Sequence, residues 1–260
     1  MKISIICIYN NKSSLNKYLL KTLKKQEIDY QLILIDNCNN KFDCASDALN
    51  YGGNKATGDL LIFIHQDVEL FENNLKDIVY YCKSLENFGV AGIAGTDLNG
   101  GFVKSNGIHH IPSEEMASTH LNNIEQVQTL DEVLLIIPQN IFNKFKFNSE
   151  ICNDWHLYGA DYCLQLIKNG YDIYVLPIKF YHVSNGSSMS VEYFKTLKNI
   201  LNEYKNDFKV IHTVCWGSHK TKNSIKINLM LLLYKLRLKE PLAKFLKKYK
   251  KIYNNIMSNK

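Results

Sequence analysis

Three polar residues end an apolar run in the first third of the chain and are the first candidates for chemistry. The apolar residues 60–64 are followed by His65, Gln66 and Asp67 in the stretch FIHQDVEL. Asp36 ends a second apolar stretch, YQLILID, in the same manner. A buried strand has no need of polar side chains at its end unless they hold something beyond it. Carboxylate oxygens are the ligands that divalent cations prefer, and Mn²⁺ also accepts imidazole.

The elements around these residues alternate between strand and helix. Apolar runs predict buried strands at 3–9, 30–36, 59–65 and 89–95, and helical spacing predicts helices at 13–26, with Ser13 as N-cap, 43–53 and 72–86. This alternation predicts an α/β fold with a mostly parallel, doubly wound sheet. Ligands of such sheets bind beyond the carboxyl ends of the strands, where Asp36 and Asp67 are expected.

The second half of the chain is less regular. A long Gly-, Asn- and His-rich loop that includes a hairpin is predicted over 96–123, a strand over 131–138, a helix over 154–171, strands over 172–177 and 178–184, and a loop over 185–190.

The charge is divided unevenly along the chain. The net charge of +6 consists of +11 in residues 216–260, which hold twelve Lys or Arg and one acid, and −5 in residues 1–215. We therefore predict a catalytic domain over 1–215 and a basic helical extension over 216–260. The basic character lies in the extension, so the overall charge does not indicate binding to nucleic acid.

The cysteines and the N-terminus favour a cytoplasmic protein. Seven cysteines, an odd number with no CxxC pair, are unlike a secreted disulfide framework. The N-terminal apolar stretch lacks the length and cleavage site of a signal peptide. The longest apolar run, INLMLLLY, falls short of the about 20 residues that a membrane-spanning helix needs.

Several stretches together resemble a known family. ISIICIYNN, LILIDN, NKATGDLLIFIHQDVEL, DWHLYGADYCLQLIKNGYDIYVLP and YHVSNGS, in this order and spacing, resemble the family-2 glycosyltransferases of the GT-A fold, over roughly residues 1–205. That family transfers a sugar from a nucleotide-sugar donor to an acceptor hydroxyl, usually with a divalent metal on the diphosphate. The metal neutralises the charge that develops on the leaving group.

The resemblance assigns the metal site. The family's DxD motif corresponds to His65-Gln66-Asp67, so the resemblance implies that Asp67 is a ligand of Mn²⁺ or Mg²⁺. His65 replaces the first Asp, which in the family contacts the ribose. His182, after a strand and before a Ser- and Gly-rich loop, matches a family histidine that completes the metal site. His109 and His110 are an alternative metal pair, although adjacent side chains of a loop point apart.

The resemblance also assigns the donor contacts. Asp36 matches an acid that reads the imide N–H of uracil, which favours UDP or dTDP over GDP. The remaining donor contacts implied by the family are Tyr9, Asn10, Asn37, Asn54 and Lys55, with His65 and Gln66 beside them.

The acceptor side holds two candidate bases. Inversion at the anomeric carbon needs a base that deprotonates the incoming hydroxyl. Asp161 matches the family's catalytic carboxylate, and Asp154, two helical turns earlier, competes with it. Trp155 and His156 are predicted to line the acceptor pocket.

The tail has two interpretations. Residues 241–257 form a basic amphipathic pattern that is typical of helices lying on anionic membranes. The same pattern is also compatible with packing on the catalytic domain or on the partner of a homodimer. Membrane contact would place the protein at the inner face of the plasma membrane.

The sequence therefore predicts an inverting, metal-dependent hexosyl- or N-acetylhexosaminyltransferase. We expect it to use a UDP-sugar and a glycan or lipid-linked acceptor in bacterial surface glycan synthesis. One alternative is a nucleotidyltransferase that makes a nucleotide sugar, although YNNKSS after the first strand lacks the glycines of a triphosphate-binding loop. The other is a non-catalytic binding protein with a basic tail.

Overall fold

The computed structural model describes residues 1–110, 113–117, 120–183, 190–223 and 225–235. The loop predicted over 185–190, except Ser190, and the tail helix predicted over 241–257 lie outside this part of the chain. None of the helices in the described ranges combines the length and the apolar character that crossing a bilayer requires.

The strands and helices follow the predicted alternation closely. The strands are β1 Ile3–Tyr9, β2 Tyr30–Asp36, β3 Leu60–Ile64, β4 Val68–Leu70, β5 Phe88–Gly92, β6 Ala94–Thr96, β7 Val103–His110, β8 Ser113–Glu115, β9 Glu125–Gln126, β10 Thr129–Leu130, β11 Leu134–Pro138, β12 Asp172–Val175, β13 Lys179–His182, β14 Val210–Thr213 and β15 Gly217–Lys220. The helices are α1 Lys12–Leu15, α2 Lys21–Leu23, α3 Ala45–Gly53, α4 Asn74–Cys82, α5 Gln139–Lys144, α6 Tyr158–Lys168, α7 Val191–Glu203 and α8 Ile225–Lys235, and a π-helical turn, Asn16–Leu20, joins α1 to α2.

The main sheet has the order β2-β1-β3-β11-β5-β12-β9. β1 pairs in parallel with β2 and β3, whereas β11 runs antiparallel to both β3 and β5. The α/β fold is thus confirmed, with a sheet of mixed direction. Because Leu134 at the start of β11 pairs with Ile64 at the end of β3, the residues before β11 lie at the same edge as the carboxyl ends of β1 to β3.

A second sheet, of order β10-β6-β7-β13-β4, lies next to the first. β7 and β8 pair antiparallel and are the hairpin expected within the long loop. The strand predicted over 89–95 divides into β5 and β6, which belong to different sheets. β13 pairs antiparallel with β4, the strand that begins directly after Asp67.

Two local predictions need correction. The strand over 30–36 is not fully buried: β2 is an edge strand and leaves Leu32 and Leu34 more than a third exposed. The first helix is capped by Asn11 rather than Ser13, because the Asn11 side chain accepts a hydrogen bond from the Ser14 N–H. This helical stretch ends at Leu23, earlier than the predicted residue 26.

The main sheet is covered on both faces, which explains the unbroken apolar character of β3. Leu60, Ile62 and Ile64 belong to a cluster with residues of α2 and α4. Leu61 and Phe63 belong to a second cluster, with residues of α3, α5, α6 and α7. A strand buried on both faces shows no polar alternation.

The start of the basic extension is part of the folded body. β14 and β15 form an antiparallel hairpin, and the domain boundary predicted between residues 215 and 216 falls between these strands. α8 packs on α7, with the ring of Tyr234 centred 5.1 Å from that of Phe194 and with Ile227 buried. The division into two domains stays a prediction, and a truncation that spares both the hairpin and the packing of α8 on α7 has to begin after α8.

Candidate functional site

His65, Asp67 and His182 form a group that could hold a metal ion. Each offers one ligand atom, and these atoms all lie within 4.8 Å of one another. His182 Nε2 lies 3.5 Å from Asp67 Oδ1, and the rings of His65 and His182 have centroids 5.7 Å apart. The structure therefore brings His182 next to His65 and Asp67, more than a hundred residues earlier in the chain, as the sequence predicts for the metal site.

The pairing of β4 with β13 produces this juxtaposition. Val68 pairs with His182, and the N–H of Val183 donates a hydrogen bond of 3.1 Å to the carbonyl of Asp67. The chain turns into the second sheet immediately after Asp67, and β13 returns alongside it. Asp67 and His182 thus meet because of strand register rather than proximity in sequence.

The charges of the group are those that a cation needs. Burial by itself would raise the pKa of the Asp67 carboxyl, but His182 and His65 beside it outweigh burial and lower that pKa. Burial lowers the pKa of His65, and the adjacent His182 acts in the same direction. The result is an ionised carboxylate beside a neutral imidazole, the protonation states in which both residues ligate metals.

The residues present fit a divalent metal. Both ring nitrogens of His182 are buried, and neither makes a hydrogen bond within the described ranges. A buried polar atom without a partner is costly, so these nitrogens are available to a ligand. Two imidazoles and one carboxylate form a mixed nitrogen and oxygen donor set, which suits Mn²⁺ better than Mg²⁺.

A cavity of about 320 Å³ opens at this edge of the sheet. It lies beyond the carboxyl ends of β1, β2 and β3, where the sequence predicts the site. Its walls are formed by Ile8, Asn10, Asn37, Asn40, Ala45, Leu49, Phe63, Ile64, His65, Gln66, Asp67, Glu132, Trp155 and Tyr158.

Gln66 joins the ends of β1 and β3. Its side-chain oxygen accepts hydrogen bonds from the N–H groups of Asn10 and Asn11, at 3.1 and 3.0 Å, and its amide nitrogen donates to Asn10 Oδ1 at 2.7 Å. Gln66 thus holds the loop after β1 at the cavity wall, a role that its place in the triplet does not reveal.

The predicted donor contacts near β2 are divided between the cavity and its surroundings. Asn10 and Asn37 line the cavity, whereas Tyr9 and Asp36 are not among its lining residues. The exposed Asp36 carboxylate accepts a hydrogen bond from the Cys38 N–H at 2.9 Å, which holds its pKa below the usual range. Its role in reading a base stays a prediction.

Asn54 and Lys55 lie away from the cavity. They follow the C-terminus of α3, whose N-terminal residue Ala45 lines the cavity wall. Lys55 Nζ contacts the hydroxyl of Tyr51 at 2.8 Å, and Asn54 accepts a hydrogen bond from a lysine of the loop after α5. The length of α3 therefore separates both residues from the end of the helix that lines the cavity.

The two candidate bases also lie outside the cavity wall. The Asp161 carboxyl is 1% exposed and accepts a hydrogen bond of 3.0 Å from the hydroxyl of Tyr204, while burial raises its pKa to about 7. Asp154 Oδ1 accepts a hydrogen bond from the Trp155 N–H at 2.7 Å. Neither residue lines the cavity.

The predicted acceptor residues lie in the turn before α6, because that helix begins at Tyr158 rather than at the predicted residue 154. Trp155 lines the cavity with its side chain 37% exposed, so an aromatic face is available to a sugar ring. His156 is half-buried, with its ring centred 5.7 Å from that of Tyr193. It is not among the lining residues.

Three polar cavity residues, Asn40, Tyr158 and Glu132, were missed by sequence reasoning. The hydroxyl of the buried Tyr158 lies 3.1 Å from His65 Nε2 and orients that ring. Glu132 is an acid directly beside an apolar strand, the signal that identified Asp36 and Asp67. The sequence predicted it inside the strand over 131–138, whereas β11 begins at Leu134, and only the antiparallel direction of β11 brings the residues before it to the cavity.

The alternative histidine pair is divided between two faces. His110 Nε2 lies 2.7 Å from Glu69 Oε2, and its ring packs on Tyr181. The ring of His109 is centred 5.9 Å from that of His182. Adjacent residues of β7 point to opposite faces, so the two do not act as one metal-binding pair.

Comparison with known proteins gives one family and one partial relative. A family model described as "Glycosyltransferase like family" matches residues 4–209. A protein of Fuscovulum blasticum named "ATP synthase subunits region ORF 6" is 29% identical over 171 residues, which is 62% of this chain and 66% of that protein. The chain therefore spans just under two thirds of that relative's length.

Solved structures share the fold at low sequence identity. S. aureus TarS 1–349 in complex with UDP-GlcNAc has a TM-score of 0.56 at 17% identity, covering 80% of this chain and 68% of that one. GalNAc-T7 with UDP, GalNAc and Mn²⁺ has a TM-score of 0.56 at 14% identity, and the match covers 79% of this chain and 48% of that one. A third structure is that of the mannosyltransferase PcManGT from Pyrobaculum calidifontis in complex with GDP-Man and Mn²⁺. Its TM-score is 0.59 at 10% identity, and the match covers 96% of this chain and 79% of that one.

Proposed function

The chain belongs to the glycosyltransferase-like family, and on that premise we propose that it transfers a sugar from a nucleotide-sugar donor to an acceptor hydroxyl with inversion. One observation carries the proposal. The Asp67 carboxylate and the imidazoles of His65 and His182 have ligand atoms within 4.8 Å of one another, and two of these residues, His65 and Asp67, line the cavity beyond β1 to β3. A metal there would neutralise the negative charge that develops on the departing diphosphate.

The metal we propose is Mn²⁺. His65 and His182 supply two nitrogens, which Mg²⁺ accepts poorly because it prefers a shell of oxygen atoms. Solved structures of GalNAc-T7 and PcManGT that share the fold contain Mn²⁺. Asp67, His65 and His182 would hold the ion, and Tyr158 would keep the His65 ring in position through its hydroxyl.

The donor we propose is a UDP-sugar. Asn10, Asn37 and Asn40 bring amide groups to the wall of the cavity, where they can hydrogen-bond to a base or ribose. Asp36 ends the same strand that delivers Asn37. TarS and GalNAc-T7 bind UDP, whereas PcManGT binds GDP-Man, so the base has to be tested directly.

The acceptor we propose is a glycan or a lipid-linked glycan of a bacterial surface. Trp155 offers a partly exposed aromatic face at the cavity wall. α8 exposes Ile225, Leu229 and Leu232 at helical spacing, with exposed fractions of 74%, 53% and 52%. With the basic residues that follow, this face would let the cytoplasmic protein rest on an anionic membrane where such acceptors are found.

Calorimetry can test the metal and the nucleotide independently of turnover. We expect the full-length protein to bind UDP more tightly with Mn²⁺ present than with Mg²⁺, and more tightly than GDP. His182→Ala should weaken Mn²⁺ binding at least by the ~10-fold that even outer-shell changes cost. His110→Ala, a change of the same kind outside the cavity, is the matched control and should leave binding unchanged.

Two results would contradict this proposal. The first is Mn²⁺-dependent UDP binding that survives both Asp67→Ala and His182→Ala. The second is a screen of nucleotide sugars in which the protein with Mn²⁺ releases no nucleoside diphosphate from any donor, with or without acceptor.

A further inference from the structure

Glu132 brings a second carboxylate to the wall of the cavity that Asp67 also lines. It lies two residues before β11, whose first residue pairs with the last residue of β3. The carbonyl of the next residue, Val133, accepts a hydrogen bond of 3.1 Å from the His65 N–H. Among the described residues that line the cavity, Asp67 and Glu132 are the two acids.

The surroundings of Glu132 leave part of its carboxyl group unused. Its side chain packs against the start of α6, where a Cβ added to Gly159 would lie 3.3 Å from Glu132 Cγ. Oε1 is buried and makes no hydrogen bond to any part of the chain that the structure describes. Leaving a buried acceptor unsatisfied costs about 1–3 kcal/mol, so the carboxyl group of this cavity residue retains capacity for a further partner.

The protonation of Glu132 is suited to proton transfer. Burial, with a contribution from the neighbouring Asp131, raises the pKa of its carboxyl to about 8. A general base acts best when its pKa lies near the working pH, because it then both accepts and releases a proton readily. Asp67, whose pKa is lowered, is suited instead to holding a cation.

We infer that Glu132, rather than Asp161, is the group that deprotonates the acceptor hydroxyl. This inference rests on the proposed function. In the step, a lone pair of the acceptor oxygen forms the new bond to the anomeric carbon, and its proton passes to the Glu132 carboxylate. The bond from the anomeric carbon to the diphosphate oxygen breaks, and its electron pair stays on the diphosphate.

The rival carboxylates are less well placed for this step. Asp161 is enclosed between α6 and Tyr204 and reaches no part of the cavity wall. The Asp154 carboxylate already accepts the N–H of the adjacent Trp155. Glu132 has an oxygen without a partner in the same wall as Trp155, the residue predicted to bind the acceptor sugar.

The test compares three isosteric changes in the full-length protein. We expect Glu132→Gln to lower kcat by about 10²-fold or more, the usual scale for loss of a general base, while calorimetry shows unchanged binding of UDP with Mn²⁺. Asp161→Asn and Asp154→Asn should keep kcat within about threefold. If Glu132→Gln does not fold, Glu132→Asp decides the question, because withdrawing the carboxylate by one methylene should lower kcat at least about tenfold.

A pH profile adds a readout that a structural role would not change. The base acts only when deprotonated, so kcat/KM of the native protein should rise with pH through about 8. Glu132→Gln should lack this rise. The titratable groups that face Glu132 are its neighbour Asp131, together with Cys152, Tyr158, Cys163, Tyr193 and Cys215. Asp67 and His65 share the cavity wall with it.

The inference is overturned if Glu132→Gln retains more than a tenth of native kcat, or if Asp161→Asn loses turnover with UDP binding intact. Failure of the proposed function looks different, since the native protein itself would then release no nucleoside diphosphate. A native protein that transfers sugar, paired with an active Glu132→Gln variant, refutes the role of Glu132 alone.

Discussion

Replacing Asp161 by Asn should change how the stability of the protein depends on pH. The Asp161 carboxyl is 1% exposed, and burial raises its pKa to about 7. The hydrogen bond from Tyr204 opposes burial without cancelling it, and Glu203 adds to the rise. In the unfolded chain the same carboxyl has a pKa of about 3.9. Between about pH 3.9 and pH 7, the folded protein therefore retains a proton on Asp161 that the unfolded chain has lost.

The sign and size of the effect follow from that difference. A carboxyl whose pKa is raised by folding stabilises the native state below pH 3.9 and loses that contribution as pH rises to about 7. Each pH unit corresponds to about 1.4 kcal/mol, so Asp161 accounts for a loss of about 4 kcal/mol of unfolding free energy between these limits. Asn carries no proton that can be lost. Relative to the native protein, Asp161→Asn should therefore gain stability as pH rises and level off above about pH 7.

Urea denaturation at pH 5, 6, 7 and 8 measures this. The quantity of interest is the difference in unfolding free energy between variant and native protein, because other groups, Glu132 included, titrate equally in both. A difference that stays constant from pH 5 to pH 8 would refute the reasoning, since it would mean that Asp161 is ionised in the folded state throughout.

Tyr204→Phe is the companion variant. It keeps the Asp161 carboxyl but removes the hydroxyl that lies 3.0 Å from Oδ1 and lowers the pKa of Asp161. We expect a lower stability, by about 1–3 kcal/mol at pH 8, where the charged group loses its donor. The deficit should shrink at pH 5, where Asp161 is protonated in both proteins.

Three further predictions concern other parts of the molecule. Gln66→Ala removes the hydrogen bonds that hold Asn10 at the cavity wall, so the KM for the donor should rise several-fold. The free energy of unfolding should fall by no more than about 1 kcal/mol. An unchanged KM would contradict the role given to Gln66. Gly53→Ala places a methyl group against the ring of the buried Phe142 and should lower the free energy of unfolding by about 1–3 kcal/mol, as measured by urea denaturation. Removal of residues 236–260, which carry a net charge of +7, should abolish most co-sedimentation with anionic vesicles at low salt. The reason is that each basic residue near the membrane surface contributes about 1 kcal/mol. A full-length protein that never co-sediments would exclude the membrane role.

Sequence reasoning was most successful where one physical rule governs a whole element. The apolar runs at 3–9 and 59–65 predicted β1 and β3 to within a residue, because a strand buried on both faces is apolar along its length. The same rule overestimated the burial of β2, whose place at the sheet edge depends on partners far away in the chain. Asn11 took the capping role from Ser13 because either residue type can cap, and local backbone geometry decides.

The site was predictable to the extent that it consists of strand ends. Asp67 follows β3 and His182 is the last residue of β13, and both were found by their place at a strand end together with the family resemblance. Glu132 and Tyr158 were not, because the first precedes its strand and the second begins a helix. Asn54 and Lys55 were placed beside the nucleotide by the family resemblance. They precede β3, so the length of that strand, about 3.3 Å for each residue, separates them from His65 beyond its far end.

The missed carboxylate and the predicted metal group share one structural cause. A wholly parallel sheet would collect only residues that follow strands at its carboxyl edge, and all acids there would then be found by one sequence rule. β11 runs in the opposite direction between β3 and β5, so it adds the residues before a strand to the same edge. β4 turns away from β3 directly after Asp67 and pairs with β13, which adds His182 from a second sheet. Two antiparallel pairings thus bring one group suited to a cation and one suited to a proton into a single cavity, and neither pairing can be read from the local sequence around the residues that it unites.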